Sequence, residues 1–72
     1  MTRAELIAGL QRLYDGFSRS RNDLTPERLT ALFDMIGFHA PEAWDSAVQV
    51  LLCETRFPDF DTIHAAIDQA AE

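Results

Sequence analysis

The stretch Thr25-Pro26-Glu27-Arg28-Leu29-Thr30-Ala31-Leu32-Phe33-Asp34-Met35-Ile36-Gly37-Phe38-His39-Ala40-Pro41 holds one complete helix and the opening of the next. Thr25 is a good N-cap because its hydroxyl accepts from a backbone N–H that no helical carbonyl reaches. Pro26 suits the first helical position, and Glu27 meets the positive end of the helix dipole. Leu29, Leu32, Phe33 and Ile36 recur at helical spacing and predict one buried stripe over residues 26–36. Met35 lies off that stripe, at the rim of the core or in a partner contact. Gly37 stands where a left-handed C-cap is common, with Phe38 placed for the apolar contact that accompanies one. Ala40-Pro41 then starts a new helix.

On the N-terminal side, Thr2 with Glu5 three residues on has the spacing of a capping box, which predicts a helix over residues 3–18. Its stripe is Leu6, Ile7, Leu10, Leu13, Tyr14 and Phe17. Gly9 flanks that stripe and is read as a point of close packing, Gly16 as the helix stop. Ser18-Arg19-Ser20-Arg21-Asn22-Asp23 is polar and aperiodic, hence a connecting turn.

On the C-terminal side, the spacing predicts a helix over 41–55, carrying Trp44, Ala47, Val48, Leu51 and Leu52. Ala43 and Val50 widen its apolar arc, which makes it the central helix, with Trp44 as core anchor provided the indole N–H finds a partner. Phe57-Pro58 forbids its extension. A last helix over 60–71 opens on Asp59 as N-cap and turns Phe60, Ile63, Ile67 and Ala70 or Ala71 inward. The expected fold is all-α, a compact single-domain bundle of four short helices joined by short turns.

At 72 residues the chain is one domain, of a size where apolar burial barely offsets chain entropy, so each core residue should matter. No run of about 18 apolar residues exists to span a membrane. Met1-Thr2-Arg3-Ala4-Glu5 lacks an apolar signal core, and a cytoplasmic protein is expected. Cys53 is the single cysteine, which excludes an internal disulfide and a cysteine-based zinc site within one chain.

Charge is unevenly placed. Residues 1–28 carry five arginines against Glu5, Asp15, Asp23 and Glu27, a net of +1. Residues 29–72 carry Arg56 against Asp34, Glu42, Asp45, Glu54, Asp59, Asp61, Asp68 and Glu72, a net of −7. The excess acid serves solubility in the plainer reading. As a recognition surface it repels phosphate and fits a protein partner with a basic surface. The chain has no lysine, and direct duplex DNA binding is not expected. Arg19, Arg21 and Arg28 are either solvated charges answering the acidic half or a grip for a phosphate or an acidic partner.

No constellation for chemistry is evident. Cys53 falls opposite Trp44 on the helical wheel with no acid, base or second cysteine beside it in sequence. His39 and His64 are 25 residues apart, a poor metal pattern, and Asp59 with Asp61 reads as helix capping rather than as an acid–base pair. No enzyme activity, metal or cofactor is expected.

Leu24-Thr25-Pro26-Glu27-Arg28-Leu29, then Leu32-Phe33, then Trp44 with Ala47-Val48 and Leu51-Leu52, then Arg56-Phe57-Pro58 leading to Ile63, resembles the helical N-terminal domains of phage replicative-helicase loaders and inhibitors, over roughly residues 10–68. Those domains similarly place a helix, a short turn, an alanine-rich helix and a Phe-Pro step before another helix. The resemblance implies a non-enzymatic protein that docks on a hexameric helicase or another replication protein. The chain ends at Glu72, before the C-terminal region through which such loaders commonly engage the helicase, so a docking domain or a stand-alone inhibitor is expected.

Two other classes stay open. An acidic phage- or plasmid-encoded inhibitor, anti-CRISPR-like, would set its carboxylates into a basic nucleic-acid channel. A helical oligomerisation or adaptor module would use Met35, Val50 and Cys53, which leaves homo-oligomers open. Asp61, Asp68, Arg19, Arg21 and Arg28 are the candidate partner-binding residues.

Overall fold

A computed structural model describes residues 1–20 and 23–71, which places Arg21 and Glu72 outside the described residues. It contains four helices, α1 (Arg3–Gly16), α2 (Pro26–Ile36), α3 (Pro41–Leu51) and α4 (Phe60–Ala71), and no strand among the described residues. The chain is the expected all-α four-helix domain.

Three of the four helix starts follow from side chains the sequence names. The Thr2 hydroxyl accepts from the Glu5 N–H while Glu5 Oε1 accepts from the Thr2 N–H at 2.7 Å, a complete capping box. The Thr25 hydroxyl accepts from the Arg28 N–H, and Asp59 Oδ1 accepts from the Thr62 N–H at 2.8 Å. Each satisfies a donor left free in a first helical turn. Helix α3 opens on Pro41 with no side-chain cap. Proline at that position carries no N–H to satisfy.

Helices α2 and α4 end at Ile36 and Ala71 as expected, whereas the ends of α1 and α3, and the way α2 is closed, differ from the sequence expectation. Helix α1 stops at Gly16, not at Ser18, because Ser18 turns left-handed at φ 55°. The Arg19 N–H then reaches the Tyr14 carbonyl at 2.8 Å and the Ser18 N–H reaches that of Asp15 at 3.2 Å, the paired bonds of a Schellman closure. Gly37 is not left-handed: its φ is −64°. The end of α2 is instead met by the amino terminus of the chain, where the Met1 ammonium donates to the Gly37 and His39 carbonyls at 2.8 Å each. Helix α3 ends at Leu51 rather than at 55. The Cys53 and Glu54 N–H groups bond three residues back, to Val50 and Leu51, and this tightened turn releases the chain before the extended step into Pro58.

Helix α3 packs closely on α4 and α1, while α2 lies more lightly against α4 and α1. Leu6, Leu10 and Leu13 of α1, Leu32 and Ile36 of α2, Trp44, Ala47, Val48 and Leu51 of α3, and Ile63 and Ile67 of α4 form one buried cluster. Fully burying a large aliphatic side chain of this kind contributes about 1.5–3 kcal/mol, so no single one of them is dispensable in a domain this small. Trp44 anchors the cluster as expected, its indole N–H donating to the Glu5 carbonyl at 3.1 Å. Two aromatic residues depart from their expected places. Phe60 is 39% exposed rather than buried, and Phe38 is 77% exposed, lying against the His39 ring instead of the core.

Candidate partner-binding surface

The light packing of α2 leaves a cavity of about 410 Å³ where the C-terminal half of α1, the first turns of α2 and α4, and the Phe57-Pro58 step come together. Its floor is aliphatic, from Leu10, Leu32 and Ile63, and its walls are the aromatic rings of Tyr14, Phe57 and Phe60. Tyr14 and Phe17 both meet Phe57 edge-on, with ring centroids 4.9 and 5.8 Å apart. These contacts fix the inter-helix step and make one wall rigid.

Arg19 and Arg28 stand at the rim of this cavity. The Arg19 guanidinium lies over the Phe57 ring, 4.6 Å from its centroid, and pairs with Asp23 at 3.4 Å. Arg28 donates to the Asp23 carbonyl at 3.4 Å and has no carboxylate partner among the described residues. Two of the three arginines singled out in the sequence therefore converge on one feature, with Asp23 between them. Arg21, the third, lies outside the described residues.

The two carboxylates singled out do not behave alike. Asp61 sits exposed in the first turn of α4. Asp68, expected to be free for recognition, is instead tied on both oxygens: Oδ1 lies 3.1 Å from His39 Nε2 and Oδ2 lies 3.4 Å from His64 Nε2. His64 is its neighbour one helical turn away, whereas His39 reaches it only because the turn after α2 folds over α4. That long-range partner has no signature in the sequence. Among the described residues no group of three or more His, Cys, Asp or Glu side chains is placed to hold a metal ion.

Elsewhere the acidic groups serve local structure. Asp59 is held below the usual carboxylate range chiefly by the Thr62 backbone N–H, and Glu5 is lowered likewise by the Thr2 backbone N–H. Arg12 of α1 pairs with Asp45 of α3 across the exposed side of that helix pair. The three residues an adaptor contact would use separate: Met35 packs partly against the core, Cys53 is exposed, and Val50, expected to widen the apolar arc of α3, is 58% exposed. No helix among the described residues is long and apolar enough to cross a membrane.

No family model matches the chain, and neither does any curated protein or solved structure. What the domain does must therefore be argued from its own surface.

Proposed function

We propose that this domain acts by binding another protein, with no catalysis of its own, and that a replicative helicase or another replication protein is its partner. The supporting observation is how the polar side chains are used. Glu5 and Asp59 are committed to helix starts, and Asp68 to a tie between His39 and His64. What remains at the surface is charge suited to recognition: Asp61 on α4, and Arg28 on α2 with no carboxylate partner among the described residues. The choice of partner rests on the resemblance carried by residues 24–29, 32–33, 44–52 and 56–63.

The test is a titration of the purified hexameric replicative helicase from the encoding host, followed by light scattering and by its unwinding rate. A discrete complex that alters unwinding supports the proposal. No complex at tens of micromolar protein refutes the helicase as partner. Asp61→Asn removes an exposed carboxylate without touching the Asp68 tie, so a loss of affinity in that variant assigns recognition to the α4 acidic face.

The net charge of −7 over residues 29–72 also favours a second reading, an acidic inhibitor that occupies a basic nucleic-acid channel. A nucleic-acid competitor separates the two: it displaces an inhibitor seated in the partner's basic channel and leaves docking elsewhere on the partner unchanged.

A further inference from the structure

We infer that the cavity between α1, α2 and α4 is a binding site for a free monocarboxylate with a slim aliphatic or aromatic body, and that Arg28 takes its carboxylate. The site shares Arg28 with the protein-docking surface proposed above but does not depend on that role.

Its volume of about 410 Å³ falls within the range of small-ligand pockets, about 300–1,000 Å³. The floor residues Leu10, Leu32 and Ile63 are only 3%, 1% and 2% exposed. So little of their surface is open that a slim chain or a single ring fits against them where a partner helix does not. A body seated there is desolvated against aliphatic and aromatic carbon, a gain proportional to the apolar area removed from water.

The polar rim sets the head group. Asp59 is occupied by the Thr62 N–H, and Arg19 is occupied by Asp23 and by the face of Phe57. The Arg28 guanidinium makes one bond to a neutral carbonyl, Asp23 O, and so keeps most of its five N–H donors for a ligand. A planar guanidinium in that state matches a carboxylate with two parallel hydrogen bonds. One negative charge suits the rim better than two, because Asp59 lines it and Asp23 contacts both of its arginines, and the two carboxylates would oppose a dianion. A cation meets Arg19 and Arg28 together.

Octanoate, octanol and octylammonium share one alkyl chain and differ only in the head group. Each is titrated into isotope-labelled protein while the amide resonances of Leu24, Arg28, Phe57, Phe60 and Ile63 are followed. Octanoate is expected to give saturable shifts confined to this cluster, with affinity about tenfold above octanol, and octylammonium to give none. Arg28→Gln, at an exposed position, should keep the wild-type fold and bring octanoate down to the octanol level, with Arg28→Lys in between. Octanoate should also raise the melting temperature of the wild type but not that of Arg28→Gln. Absence of saturable shifts in this cluster overturns the proposal. Equal affinity for octanoate and octanol, or an Arg28→Gln variant that binds octanoate as the wild type does, overturns it too. Equal affinity would mark the cavity as an apolar slot for a partner's side chain.

Discussion

Trp44 occupies the space that a side chain at position 9 would need. A Cβ on Gly9 would overlap the indole, and the indole N–H donates to the Glu5 carbonyl one turn earlier on α1. Glycine here costs helix α1 about 1 kcal/mol of propensity relative to alanine, and in return the largest ring of the core lies directly on the backbone of its neighbour.

Gly9→Ala should therefore destabilise the domain by about 1–3 kcal/mol despite its better helix propensity, because the indole must move and its hydrogen bond with it. Gly16→Ala is the control. Its Cβ would meet only the end of the Leu52 side chain, which can turn aside, so its stability should stay within about 0.5 kcal/mol of wild type. Urea unfolding of the two variants decides the matter, and equal effects would mean that Trp44 does not rest on Gly9.

Trp44→Ala should cost about 3–5 kcal/mol, most of the stability available to a 72-residue domain, and leave it largely unfolded at 37 °C. Trp44→Phe keeps much of the packing and loses the bond to Glu5, for a smaller cost of about 1–2 kcal/mol. Thermal melts with far-UV detection measure both. A shift of only a few degrees for the alanine variant would remove Trp44 as the core anchor.

Ser18 holds a left-handed conformation that a non-glycine residue adopts at a cost. Ser18→Gly should raise stability by about 0.5–1 kcal/mol while keeping the Arg19-to-Tyr14 closure. An unchanged or lowered midpoint in urea would show that the serine hydroxyl has a compensating role at that turn.

Helix starts were legible in the sequence because their causes are local: a hydroxyl or carboxylate three residues before the N–H it accepts from, as at Thr2, Thr25 and Asp59. Helix ends were legible in part: α2 and α4 stop at Ile36 and Ala71 as expected and Gly16 does close α1, but the partners that close the ends were not. Gly37 has the residue type for a left-handed cap, yet the α2 terminus is met by the Met1 ammonium from 36 residues away, and the left-handed residue falls on Ser18, which composition does not mark. The candidate site divides in the same way. Arg19 and Arg28 were visible as a charge cluster, but their shared cavity depends on Phe57 and Ile63 arriving from the other end of the chain. Asp68 read as a free carboxylate because its tie to His39 spans 29 residues.

The acid limb of stability provides the last test. Asp59 and Glu5 both have folded pKa values below their ordinary ones, each chiefly through a backbone N–H donated to the ionised carboxylate. In the unfolded chain both groups bind a proton at higher pH than in the folded one, so stability rises with pH across the interval between the two values. Their contribution is complete above the ordinary carboxylate range and is lost as pH falls through the lowered folded values. Asn is a good N-cap that cannot titrate, and Gln at position 5 can still accept from the Thr2 N–H. The double variant Glu5→Gln with Asp59→Asn should accordingly stay close to wild-type stability at pH 7 and lose less between pH 5 and pH 3. Urea midpoints collected across that interval give the two slopes. Parallel curves would mean that the caps hold no differential affinity for the charged form, and that acid sensitivity arises from other groups.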